Sequence, residues 1–394
     1  MALGPSRGAS PDVVVIGGGI MGVATAAHLA SGGRRVLLLE RDVLGAGASG
    51  RNSGIVQHPM QPAFGPLHLR TLDLYRRLDE AQGGTLRLPA APVGLLSVSH
   101  DPAVARREAA TLGRDLGDLA PVYLDADDVR RLEPAFGPGV HACRIEAAYP
   151  VQPIAATLAY GAWARSLGAE VREGQAATPW VEHGRVLGVR LADGTPIAAA
   201  DVVVAAGPWT PQLVDPTGRW RPIRPLWGVV VTVGLVAPPR HVAEEAASSM
   251  PSSGGSAADV AEAGHEDERS GAQAGIHFSL VTAGGATSLG SSFLDGEPDV
   301  GSVADRIVAH GATFVPAVAD APRLAVRACA RPVSRDGNPL IGRIGWVDGL
   351  WVVTGHGPWG ISTGPGSALL LAELMDGHGA TPPPVLDPKR FEAP

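Results

Sequence analysis

The chain has 394 residues, 45% hydrophobic and 18% charged, which is enough length and apolar content for two domains. A formal charge of -7 removes the attraction to phosphate backbones and anionic lipid, which argues against nucleic acid or a membrane surface as partner. No apolar run approaches the roughly 18 residues that span a bilayer, and the opening MALGPSRGAS lacks the apolar core of a signal peptide, so no membrane span and a cytoplasmic setting are expected.

In chain order, residues 12–16 (DVVVI) form a short β-branched run that meets glycines. MGVATAAHLA then has helical composition, Gly32-Gly33 stops it, and RVLLLE is a second apolar run, together a βαβ unit. Residues 66–83 and 103–118 are predicted amphipathic helices, with the strand-like VGLLSVS between them. A helix IAATLAYGAWARSLG leads to short strands, a turn at Gly184-Arg185 and the strand DVVVAAG. PTGRWRPIRPLWGVVVTV is predicted to cross between domains. Residues 237–275, dominated by Ala, Ser, Gly, Glu and Pro without apolar periodicity, are predicted to be a flexible or disordered insertion. Strand-like IHFSLV, ATSLGSSFL and RLAVRACARPV follow, then WVVTG and a final helix SALLLAELM.

This order predicts an α/β fold with an α+β substrate domain. A Rossmann-like domain formed by 11–83, 146–220 and 333–385 is interleaved with an antiparallel-sheet domain formed by 84–145 and 221–332, and the substrate lies between them. Cys143 and Cys329 have no disulfide or metal-ligand pattern, and no metal is expected. Lys389 is the only lysine, which excludes an internal Schiff base or a lysine base.

The motif Gly17-x-Gly19-x-x-Gly22 follows a strand and opens a helix, and Glu40 ends the next strand. The glycines give a tight turn, close approach of backbone to pyrophosphate and close packing of helix on strand, with Ile20 and Met21 between them in the first turn. The helix N-terminus attracts phosphate, and Glu40, followed by Arg41, accepts ribose hydroxyls. A second match, Gly355-x-Gly357-x-x-Gly360, has one helix after it and no second strand for a ribose-binding acid. One fingerprint at the N-terminus and a glycine turn near the C-terminus suit an extended FAD better than NAD. The late helix, from Ile361 through Ser362 and Thr363, points its N–H groups at the flavin, where negative charge develops on reduction.

PDVVVIGGGIMGVATAAHLA with VLLLE, GAGASGRNSG at 45–54, DVVVAAGPWT at 201–210, ARPVSRDGNPLIG at 330–342 and TGHGPWGISTGPG at 354–366 together resemble the D-amino acid oxidase and glycine oxidase family of flavoenzymes. The resemblance is weakest across 84–145 and 221–320. It implies cofactor contacts from Ser49, Arg51, Asn52, Ser53 and Gly54, and close passage of the flavin at Ala206 and Gly207. Arg51 has a competing reading as a surface residue of a glycine-rich loop, the cofactor role being preferred. The resemblance further implies that Arg331 grips a substrate carboxylate, a role suited to a guanidinium that makes two parallel charge-assisted hydrogen bonds. The competing reading is an ion pair with Asp336 or another acid. Cys329 falls where sarcosine oxidase relatives attach the flavin through a thioether, but also reads as a small buried hydrophobe. The lysines that monomeric sarcosine oxidases use for oxygen and carboxylate are absent. His356 and Trp359 are candidates to line the site, His356 being equally suited to holding the glycine loop, and His58 is a further candidate.

The expected activity is oxidation of an amino acid (a D-amino acid, glycine or N-alkyl amino acid) at the carbon between amine and carboxylate. Oxygen or another acceptor then reoxidises the flavin. A 2-hydroxy acid dehydrogenase of the same fold, with histidine as base, and a flavin-bearing subunit of a larger complex are the alternatives.

Overall fold

The computed structural model describes residues 10–59, 61–246, 275–377 and 381–391. Two large sheets are each assembled from separated stretches of chain. In the six-stranded sheet, Val13–Ile16, Val36–Leu39, Glu170–Arg172, Asp201–Val204 and Leu350–Thr354 run parallel, and Leu340–Arg343 adds an antiparallel edge. Every residue of Val13–Ile16 is buried, as expected of a strand covered on both faces. Val13 and Val15 pack on the helices Ile20–Ser31, Ala155–Ser166 and Gly360–Met375, while Val14 and Ile16 pack under the three-stranded meander 177–198. The helices expected over 66–83 and 103–118 form as Gly65–Ala81 and Pro102–Asp115; Asp101 caps the latter by accepting from the Ala103 N–H.

The second sheet has eight strands, in the order Arg323–Ser334, Ile223–Val233, Ala286–Ser292, Ile276–Ala283, Val242–Glu245, Leu95–Ser99, His141–Ile145 and Val122–Leu124. All neighbours are antiparallel except Val242–Glu245 with Leu95–Ser99. Val229, Val231, Leu280 and Leu289 bury one face against helix Val300–Phe314. Because side chains alternate, the other face carries Arg327, Cys329 and Arg331, with Gly228 opposite Cys329, Gly290 opposite Ser279 and Ser279 opposite Glu244.

Strand Val242–Glu245 corrects one expectation. It lies inside 237–275, the stretch expected to be a flexible or disordered insertion, yet it pairs with strands on both sides. Composition averaged over the stretch hid a four-residue strand, because two sheet neighbours supply the burial that the segment lacks alone. Residues 247–274 of that stretch lie outside the described residues. Among the described residues no helix is long and apolar enough to cross a membrane.

Candidate active site

A cavity of about 1270 Å³ runs between the two sheets at the C-terminal ends of the parallel strands, where open α/β sheets bind their ligands. The first glycine motif forms one end. Gly17 has φ +113°, and a Cβ there would lie 2.5 Å from the Ala205 carbonyl oxygen; at Gly22 a Cβ would lie 1.8 Å from the Gly17 carbonyl oxygen. No other residue fits at either position, so the helix is drawn tight onto the strand and its first turn opens on the cavity. Gly19 caps that helix without a side chain, and Ser49 Oγ accepts from the Ile20 N–H at 2.9 Å instead. Glu40 accepts from the Gly18 N–H at 2.5 Å and the Asp42 N–H at 2.9 Å, which pins the end of its strand to the glycine turn. Arg41 lies over the Trp209 ring at 4.2 Å beside it.

A second helix N-terminus meets the same cavity. Gly360–Met375 packs beside the first helix so closely that a Cβ on Gly364 would come within 3.1 Å of Met21 Cε. Its entry is fixed by three contacts: Gln57 N–H to Ser362 Oγ at 3.0 Å, Tyr75 hydroxyl to the Ile361 carbonyl at 2.9 Å, and Thr363 hydroxyl to the Trp359 carbonyl at 2.8 Å. Gly357, Trp359, Gly360, Ile361 and Ser362 line the cavity, as do Ala206 and Gly207 across from them. His356 is 1% exposed, its Nε2 meets Ser367 Oγ at 2.9 Å, and burial pulls its pKa down to about 3. Such a ring suits holding the loop better than taking a proton at neutral pH.

The eight-stranded sheet supplies the opposite wall. The Arg331 guanidinium folds over Gly228, with Nη1 on the Ser292 carbonyl at 2.8 Å, Nη2 on Ser291 Oγ at 3.2 Å and Cζ 4.6 Å from the Phe293 ring centre. A Cβ on Gly228 would come within 2.2 Å of it. No carboxylate lies within ion-pair distance of Arg331 among the described residues; Asp336 is taken by Arg390, with contacts of 2.6 and 3.0 Å. Burial lowers the pKa of Arg331 from the usual arginine range, yet the group opens on the cavity. Cys329 also lines it, with its thiol raised by burial and drawn partly back by Arg331, Arg51 and Arg327.

Other candidates stand behind the wall. Gly22 serves helix packing, a Cβ on Gly54 would strike the Val151 carbonyl oxygen at 2.4 Å, and Thr363 is fully buried, so none of the three lines the cavity. Asn52 lines it, but its side chain ties the 45–54 loop together through the Ser49 and Pro153 carbonyls and the Gly54 N–H. Ser53 lines the cavity, as does Arg51, which donates to the Ala328 carbonyl at 3.2 Å. His58 packs edge-on against His68 at 5.2 Å, away from the cavity lining. Glu244, Gln57 and Phe293 line the cavity and escaped the sequence reading. Glu244 was hidden in the supposed insertion, and nothing in the local pattern of Gln57 or Phe293 marks it.

Two helix N-termini that open on one cavity, the first drawn tight onto its strand by glycines that admit no side chain, fit FAD better than a smaller nucleotide. The family model for FAD dependent oxidoreductases matches residues 12–374, and the chain belongs to this family. A glycine oxidase of Pseudomonas aeruginosa is 30% identical over 395 residues, spanning 97% of this chain and 98% of that one. Among solved structures, a glycine oxidase from Bacillus cereus superposes with a TM-score of 0.77 at 22% identity, covering 93% of this chain and 95% of that chain. An iminodiacetate oxidase from Chelativorans superposes with a TM-score of 0.75 at 23% identity, covering 97% of each. The protein is thus an FAD-dependent oxidoreductase, with FAD as its cofactor.

Proposed function

We propose that this protein is a cytoplasmic flavoenzyme that oxidises an amino acid at the carbon bearing the amine. The observation that carries the reading is Arg331: a partly buried guanidinium opening on the cofactor cavity, with no carboxylate partner among the described residues. Uncompensated buried charge is costly, and a site keeps it where a ligand supplies the counter-charge. A substrate carboxylate does so, and a bidentate grip fixes its orientation as well as its affinity.

Segments 11–83, 146–220 and 333–385 hold the FAD. The first helix N-terminus and Ser49 would hold its pyrophosphate, Glu40 its ribose, and the N–H groups of Gly360, Ile361 and Ser362 its flavin end. When bound, FAD supplies the hydride acceptor. Segments 84–145 and 221–332 hold the substrate, with Arg331 turning its α-hydrogen toward the acceptor and the two sheets excluding water. The imino acid that leaves is hydrolysed by water to a keto acid, and oxygen or another acceptor takes the electrons. In support, glycine oxidases stand among the relatives at about 30% identity over nearly the whole chain.

The test is anaerobic bleaching of the flavin absorbance by D- and L-amino acids, N-methyl amino acids and 2-hydroxy acids. Bleaching by an amino acid is expected; bleaching by hydroxy acids alone would overturn the reading.

A further inference from the structure

The wall that carries Arg331 also carries an acid. Glu244 lies on strand Val242–Glu245, opposite Ser279 on one side and Ser97 on the other, and lines the same cavity. Its neighbour Glu245 also borders the cavity, but its carboxylate is taken by His310 Nε2 at 2.7 Å and the Phe278 N–H at 3.0 Å. Among the described residues Glu244 has a single hydrogen-bond donor, Gln57 Nε2 at 3.0 Å, and no arginine or histidine lies within ion-pair distance. Gln57 is itself held by its backbone N–H on Ser362 Oγ at the second helix N-terminus, so the acid is registered to the flavin end of the cavity.

Arg331 and Glu244 are therefore, among the described residues, two charged groups of this wall without an ion-pair partner. Arg331 and Glu244 share one cavity and neither neutralises the other. A wall with a cationic grip at one place and an acidic one at another can receive both charges of a zwitterion.

We infer that Glu244 receives the amine of the substrate while Arg331 holds its carboxylate, with Gln57 fixing the accepting oxygen. The inference rests on the amino acid reading above and adds the group that recognises nitrogen. One proton moves on binding: an N–H bond of the ammonium breaks, an O–H bond forms on Glu244, and the positive and negative charges disappear together. Burial penalises both ions and favours this direction. It already raises the pKa of Glu244, as does the nearby Glu108, against the opposing hydrogen bond from Gln57. The neutral amine left behind has the lone pair that drives hydride departure from the adjacent carbon.

The test uses holoenzyme carrying Glu244→Gln, which keeps the size of the side chain and its capacity to hydrogen-bond Gln57. Binding is followed through the flavin spectrum with D-alanine and sarcosine as amine-bearing probes, and with propionate and acetate as amine-free carboxylates. The expected result is a loss of about tenfold or more in affinity for the amine-bearing probes, with acetate and propionate within about twofold of the parent. Arg331→Ala weakens both sets. Equal affinity of Glu244→Gln and parent for all four probes, or equal weakening for all four, overturns the inference. Should Glu244→Gln lose FAD, Gln57→Leu leaves the acid in place and removes its positioning contact. It is expected to slow bleaching by the amine-bearing probes and leave acetate binding intact, and unchanged bleaching would overturn the inference. If the parent is bleached by no amino acid at all, the amine-oxidising reading itself fails; if it is bleached and Glu244→Gln behaves as the parent, only the role of Glu244 fails.

Discussion

The Arg331 guanidinium keeps its place because of a glycine on the neighbouring strand. Gly228 is opposite Cys329, and the arginine two positions on folds back across it. A methyl group at 228 would occupy the space of the guanidinium, within 2.2 Å, and the guanidinium is held by hydrogen bonds to Ser291 and Ser292 that it would have to give up. Gly228→Ala is therefore expected to raise KM for the amino acid about tenfold or more while FAD content stays at the parent level. Unchanged KM in steady-state assays would show that Arg331 does not hold the substrate. The arginine itself was legible in the ARPVSRDGNPLIG pattern, and Gly228 was not. A lone glycine in PLWGVVV carries no sign of which side chain on another strand needs its empty space, since that depends on register.

At the scale of elements, the two helix starts show how loops distant in sequence finish what a helix leaves open. The first turn of Ile20–Ser31 has no cap of its own and takes one from Ser49, 29 residues on. Ser49→Ala leaves the Ile20 N–H without its acceptor, and a loss of about 1 kcal/mol is expected, seen as a drop in melting temperature of about 1 °C. A variant that melts with the parent would show that solvent or the cofactor satisfies that group equally well. The helix, its glycines and the acid after the second strand were all legible, because each glycine answers a local demand of the strand-turn-helix. Ser49 was legible only as a cofactor candidate from the family resemblance, and its capping role was hidden. The strand Val242–Glu245 shows the reverse: four residues without a pattern of their own become a strand because a gap between two other strands accepts them.

For the whole molecule, the two sheets bury ionisable groups with consequences for pH. Burial pulls His28 and His68 down to about 4 and His356 to about 3. A histidine whose folded pKa lies below its unfolded value binds its proton more readily when unfolded, so its contribution is complete above about pH 6.5 and is lost as pH falls toward 4. Glu108 and Glu244, raised by burial, act in the opposite sense: their folded forms favour the proton, so their cost at neutral pH is relieved on acidification. Burial lowers His58 as well, and four histidines against two carboxyls give a net loss. The melting temperature is expected to hold between pH 8 and 6.5 and to fall between pH 6.5 and 5; a level melting temperature down to pH 5 would contradict the burial of these rings.

What the sequence by itself determined is everything set by neighbours along the chain: the βαβ unit, its glycine turn and the choice of a dinucleotide. These follow from the backbone freedom of glycine and the periodicity of apolar residues, which act over a few residues. The tertiary structure alone decided which groups share the cavity. Arg331 has no ion-pair partner among the described residues, Asp336 pairing with Arg390 instead, Glu244 faces the site from a strand held between two others, and Gly22 and Thr363 face inward rather than toward the cavity. Each is a matter of register and packing between segments up to hundreds of residues apart, and no local pattern encodes such distances.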